Sequence, residues 1–72
     1  MYLTELPVGV TAKIIRVEYC DDIFEYLLSI GFTIGETVKV IKKTSVRSLV
    51  VIVGNATFAL KNEEAKYIEV VI

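Results

Sequence analysis

The sequence predicts a mainly β fold: a small closed barrel of about five short strands, with one helix after the first strand and a short helical turn before the last. Three observations lead there. The hydrophobic fraction is 54% and is dominated by Val and Ile, which suit a pleated, half-buried surface. Several β-rich runs of four to seven residues are separated by glycines or polar turns, and two of them flank a Gly54-Asn55 joint, a strong hairpin signal. Finally, 72 residues leave room for one domain, residues 1–72, and none for a second sheet. Closing the sheet also removes exposed edges, which a chain so rich in β-branched residues needs to stay out of aggregates.

Leu3-Thr4-Glu5-Leu6-Pro7-Val8-Gly9 reads as a lead-in. Leu3 and Leu6 can tuck under the domain, Pro7 fixes the backbone, and Gly9 turns it into a strand. The first strand is expected over Val10 to Glu18. Its alternation slips, because Val10, Ala12 and Ile14 share one face and Ile15 and Val17 take the other. Such a slip predicts a bulge or strong bend, with a strand buried on both faces as the alternative.

Asp21-Asp22 opens a helix, where negative charge and a capping carboxylate are both favourable. Ile23, Leu27 and Ile30 fall at i, i+4 and i+7, with Phe24 and Leu28 beside them, and Gly31 follows as the stop. With about 100° per residue, Ile23, Phe24, Tyr26, Leu27, Leu28 and Ile30 cover well over half of the circumference. Glu25, Ser29 and the aspartates remain for water. An ordinary surface helix buries a narrower stripe, so part of this face is a candidate docking surface; packing of the whole face against the barrel and lead-in is the plainer alternative. The docking candidates are Phe24, Tyr26, Leu27, Leu28 and Ile30.

Gly35-Glu36 launches the next strand, Thr37 to Lys43, in which Val38 and Val40 alternate with Thr37 and Lys39. Lys42-Lys43 is expected at a solvated edge. Thr44 to Ser48 is the longest polar loop. The hairpin follows, Leu49–Val53 and Ala56–Leu60 about Gly54-Asn55, where the joint supplies the positive φ of a primed turn. Asn62-Glu63-Glu64-Ala65 offers an N-cap and first-turn acids for one helical turn, and Tyr67 to Ile72 is the last strand. The structural turn residues are thus Gly9, Gly31, Gly35, Gly54 and Asn55.

Composition excludes more chemistry than it suggests. Histidine is absent and cysteine occurs once, which removes the commonest general base and metal ligand, any internal disulfide and any zinc site built on thiolates. Cys20 reads as a small semi-buried hydrophobe. The carboxylate pairs Asp21-Asp22 and Glu63-Glu64 read as helix-start acids. A ferrous-iron site resting on Asp21, Asp22 and Glu25 would be a weak, unselective hard-oxygen site. No phosphate-binding glycine loop and no nucleophile elbow occurs. An enzyme is therefore not expected, nor a resident cofactor or metal. A net charge of −1 carries no footprint for DNA or RNA, and Tyr2, Tyr19, Tyr26 and Tyr67 are not interleaved with basic clusters. The longest apolar run, Leu49 to Val53, is far short of the ~20 residues of a membrane span, and no leader pattern follows Met1; a cytoplasmic protein without membrane insertion is expected.

Taken together, Leu3-x-x-Leu6-x-x-Gly9, Leu27-Leu28-x-Ile30-Gly31-Phe32-x-x-Gly35, Val38-x-Val40 and Gly54…Phe58-Ala59-Leu60-Lys61-x-x-Glu64-Ala65-x-x-Ile68-x-Val70 resemble the FeoA family, small cytoplasmic proteins associated with bacterial ferrous-iron transport. The likeness covers nearly the whole chain. It departs from the family where arginine is common and Tyr26 stands, where proline is common and Ile34 stands, and in the loop Thr44 to Ser48, which often holds Pro and Gly. The resemblance implies an SH3-like barrel with an inserted helix. It further implies an accessory or regulatory role toward FeoB, the iron transporter with a cytoplasmic GTP-binding domain, whose cytoplasmic part is the expected partner; homo-oligomers are also possible. The same domain type is similar to the C-terminal module of iron-dependent repressors of the DtxR kind, which leaves an interaction module of such a regulator as an alternative. A generic SH3-like nucleic-acid-binding barrel is a further one. No helix-turn-helix precedes the domain here, which favours a stand-alone accessory.

Overall fold

The structure is a computed structural model. It describes the chain apart from residues 19–20 and 45–46, and describes residues 21–24 by their backbone alone. A 3₁₀ turn, Leu3–Glu5, leads into β1 (Thr11–Val17), α1 (Asp21–Ser29), β2 (Thr37–Lys43), β3 (Ser48–Val53), β4 (Ala56–Lys61), α2 (Asn62–Ala65) and β5 (Ile68–Val71). The five strands form one antiparallel sheet in the order β4-β3-β2-β1-β5. The expected elements are all present, with strand ends within two residues of their predicted limits. One refinement concerns closure. Among the described residues no ladder joins β4 to β5; α2 spans that gap as the connection between them.

Alternation explains the core. Ala12 and Ile14 of β1, Val38 and Val40 of β2, Leu49, Val51 and Val53 of β3, Leu60 of β4, and Ile68 and Val70 of β5 all point inward and are buried. Leu3 and Leu6 seal one end at zero exposure, as the lead-in predicted. Leu27, Phe32 and Ala65 complete the same cluster. Full burial of a Leu or Phe side chain contributes roughly 1.5–3 kcal/mol, so these three inserted residues tie the non-sheet segments to the barrel.

Two bulges bend the sheet. Between Ile14 and Arg16 the register with β5 shifts, leaving Ile15 as the extra residue. Between Val40 and Lys42 the register with β3 shifts in the same way at Ile41. Both isoleucines are therefore turned outward, with 42% and 39% exposure. The first bulge follows from the slip in alternation. The second carries the same signal, adjacent Val40 and Ile41, which the reading of that strand as a plain alternation passed over.

The two outer strands are treated differently. The outer edge of β5 is covered by the start of the chain. The Val70 amide donates to the Met1 carbonyl at 2.7 Å, the Met1 amino group donates to the Val70 carbonyl at 3.1 Å, and Tyr2 bridges Glu69. The Tyr2 hydroxyl then reaches the Glu18 carboxylate at 2.9 Å. β4 forms the other margin, joined to β3 by the Gly54-Asn55 turn. Only Gly54 has positive φ there, at 58°, so the turn is of the type II′ kind and Asn55 occupies its second position without left-handed backbone.

α2 corrects one detail. Asn62 is its first residue rather than its cap. Lys61 is the N-cap, and its amide is satisfied by the Glu64 carboxylate at 3.0 Å. The first-turn acid thus does the capping that a short polar side chain was expected to do.

Candidate functional site

The end of α1 is built by one glycine. The Gly31 amide donates to the Leu28 carbonyl at 3.2 Å and the Phe32 amide to the Leu27 carbonyl at 3.0 Å, the paired bonds of a Schellman stop. Gly31 has φ of 104°, which side-chain-bearing residues adopt only under strain. The stop reverses the chain so that Phe32 is fully buried, its ring 6.4 Å from that of Phe58 and tilted by 49°. A second turn follows at once. The Glu36 amide donates to the Thr33 carbonyl at 3.1 Å, and Gly35 has φ of 94°, which makes Thr33 to Glu36 a type II turn with Ile34 at its first central position. The Gly35 amide then bonds the Ile14 carbonyl at 2.8 Å, so the chain is already paired to β1 before β2 formally starts.

This arrangement sorts the docking candidates. Leu27 has no exposed surface and belongs to the core. The expectation that it contacts a partner is therefore corrected: it holds the helix onto the barrel. Tyr26 and Leu28 are 44% and 39% exposed, and Ile30 is half-buried against the core. With about 100° per residue, Tyr26 and Leu28 flank the buried Leu27 stripe on opposite sides. The surplus apolar character of the helix is thus two flanks with a packed seam between them, Tyr26 with Ile30 on one side and Leu28 on the other. Ile34, 71% exposed, adds apolar surface in the turn beyond the helix. The side chain of Phe24 and the expected capping by Asp21 and Asp22 lie outside the described residues, as do Tyr19, Cys20 and the middle of the polar loop, Ser45 and Val46.

Among the described residues no three Asp, Glu or Cys side chains converge as a metal site. No helix is long and apolar enough to cross a membrane. Lys42 and Lys43 are exposed, and the Lys43 ammonium donates to the Thr4 carbonyl at 3.3 Å. Sequence reasoning missed one cluster. Arg47, Lys61 and Lys66 line a single cavity with Thr4, Asn62 and Glu63. These cations are separated along the chain, and nothing in their spacing announces that the barrel gathers them.

A five-stranded antiparallel sheet with a helix inserted between its first two strands in the chain defines a small SH3-like domain. The chain belongs to the FeoA family: the model of the FeoA domain matches residues 1–72. The family is an accessory one of ferrous-iron transport and is not enzymatic. Among solved structures, FeoA of Stenotrophomonas maltophilia, determined with zinc, is 37% identical, with a TM-score of 0.85 over 97% of this chain and 88% of that one. It is described as a prokaryotic SH3-domain protein and a candidate activating factor of bacterial ferrous-iron transport. Iron(II) transport protein A of Clostridium thermocellum is 34% identical, with a TM-score of 0.90 over 97% of this chain and 44% of that one. A manganese-dependent transcriptional repressor is 25% identical, with a TM-score of 0.92 over 99% of this chain and 40% of the repressor. No curated protein matches the chain.

Proposed function

We propose that this protein is an accessory or regulatory component of ferrous-iron uptake that works in the cytoplasm by binding the cytoplasmic part of a FeoB-type transporter. The observation that carries the reading is the pair Tyr26 and Leu28, large apolar side chains left 44% and 39% exposed on a helix whose neighbouring Leu27 is buried. Aromatic and aliphatic side chains of this kind are the usual anchors of protein interfaces. Membership in the FeoA family and the activating role suggested for the Stenotrophomonas maltophilia relative support the same partner. Ile30, on the Tyr26 flank, joins the proposed surface, and Phe24 remains a candidate from the sequence.

The experiment is a titration of fluorescently labelled protein against the transporter's cytoplasmic domain, with Tyr26→Ala and Leu28→Glu as variants. Saturable binding that weakens at least about tenfold in one variant is expected, since interface anchors contribute roughly 1–2 kcal/mol or more. Binding that neither variant changes would discard the surface, and no binding would discard the partner.

A second reading rests on the repressor likeness. This chain corresponds to 40% of that repressor, so the same module also occurs within a longer regulator. An interaction of this chain with an iron-dependent regulator, measured in the same titration format, would favour that reading. Direct nucleic-acid binding is disfavoured by the net charge of −1; a low-salt gel shift showing clear retardation would reinstate it.

A further inference from the structure

The protein also carries a concave feature whose lining includes no residue of α1. A cavity of about 480 Å³ lies where the lead-in, the β2–β3 loop and α2 meet, lined by Thr4, Arg47, Lys61, Asn62, Glu63 and Lys66. Its size falls within the roughly 300–1,000 Å³ of small-molecule pockets. Its charge is opposite to that of the whole chain. Three cations face one acid there, although the chain as a whole is −1.

The cations are not tied up in salt bridges. Among the described residues, neither Arg47, Lys61 nor Lys66 forms an ion pair; the one salt bridge joins Arg16 and Glu18 at 3.9 Å. Glu63 is exposed and unpaired on the rim, and Glu64 is occupied with the Lys61 amide at 3.0 Å. Lys66 stacks over the Tyr67 ring at 5.3 Å, a contact that leaves its ammonium able to donate.

The backbone fixes the cluster in place. The Asn62 amide donates to the Arg47 carbonyl at 2.9 Å, and the Lys66 amide donates to the Asn62 carbonyl at 3.0 Å. Ser48 and Lys61 are cross-strand partners. Arg47 has φ of 58°, a left-handed conformation uncommon for a residue with a long side chain. The turn therefore holds an arginine, where asparagine or glycine would fit more easily, at the mouth of the cavity. Lys43 adds a fourth positive charge beside Thr4 through its bond to the Thr4 carbonyl.

We propose that this cavity is a binding site for the phosphate monoester of a small organic molecule, of about mononucleotide size. A phosphate monoester carries ≈ −1.5 to −2 charge near pH 7, which matches the excess of two positive charges among the residues that line the cavity. The Arg47 guanidinium offers a planar fork of donors suited to phosphate oxygens, and Lys61 and Lys66 supply point charges. The Thr4 hydroxyl and the Asn62 side-chain carboxamide are neutral groups for the rest of the ligand. The cavity is much larger than a bare phosphate requires, which is why an organic body belongs in it. The site goes beyond the transporter-binding role and does not depend on it.

The test is a ¹H–¹⁵N NMR titration of the isolated protein with adenosine 5′-monophosphate, inorganic phosphate, adenosine and sodium chloride at matched ionic strength. The expected result is saturable shifts confined to Thr4, Arg47, Lys61 to Glu63 and Lys66, tighter for the monophosphate than for inorganic phosphate and absent with adenosine or chloride. Lys61→Gln and Arg47→Gln, both at exposed positions, are each expected to weaken binding about tenfold, the usual scale of a lost charge-assisted hydrogen bond, with an otherwise unchanged spectrum. Shifts that do not saturate, that chloride reproduces, or that survive both substitutions would overturn the site. Inorganic phosphate binding as tightly as the monophosphate would overturn the assignment of an organic ligand.

Discussion

The Phe32 amide donates to the Leu27 carbonyl at 3.0 Å, and both side chains are fully buried. One short loop therefore fixes the helix end and delivers an aromatic ring to the core. Gly31 makes it possible. A Cβ there would meet no more than Val53 Cγ1 at 4.0 Å, so the penalty of Gly31→Ala is backbone conformation alone. We expect a loss of about 1–3 kcal/mol, read as a lower urea midpoint at unchanged slope.

The neighbouring turn gives the opposite sign. Ile34 occupies the first central position of a type II turn, where proline's φ is already suitable. Its side chain is 71% exposed, and its amide donates no hydrogen bond in the turn. Ile34→Pro is expected to stabilise the protein by about 0.4–1 kcal/mol through the unfolded chain, raising Tm by a few degrees in a thermal scan.

On α1 itself, three adjacent residues should separate cleanly. Leu27→Ala removes a wholly buried side chain and is expected to cost about 2–5 kcal/mol. Tyr26→Ala and Leu28→Glu act on exposed side chains and should stay within about 0.5 kcal/mol. Chemical denaturation of the three variants checks this, and it also establishes that binding losses in the two exposed variants are not unfolding.

How much of this was legible beforehand varies with the range of the cause. The hairpin at Gly54-Asn55, the stop at Gly31 and the bulge at Ile15 follow from local backbone chemistry, so a few residues announce them. The helix was legible as too apolar, but which of Tyr26, Leu27 and Leu28 faces the barrel depends on how α1 docks, and six apolar residues in one helix do not specify a seam. The cluster of Arg47, Lys61 and Lys66 was not legible at all, because it is made by the ladder between β3 and β4 and by the bond from Asn62 to Arg47.

A pH experiment addresses the start of the chain. The Tyr2 hydroxyl donates to Glu18, and this bond together with the charge of Glu18 raises the Tyr2 pKa above its ordinary value of 10.0. The fold thus favours the protonated phenol. Its contribution is complete below the unfolded tyrosine pKa and is lost as pH rises through the higher folded value. Ultraviolet difference titration should show a late-ionising tyrosine signal that is absent in Tyr2→Phe and shifted downward in Glu18→Gln.

The pairing of β1 with β5 joins Lys13 to Val71 and Val17 to Ile68, segments from opposite ends of the chain. The β2–β3 and β3–β4 ladders, by contrast, join near neighbours in sequence. Loop closure opposes the distant pairing far more than the local ones. The three-stranded meander can form first and wait, while the ladder between the two ends assembles late and gates the rate of folding. The same ladder is expected to open first in the native molecule: amide protons bonded between β1 and β5 should exchange with solvent before that of Val51.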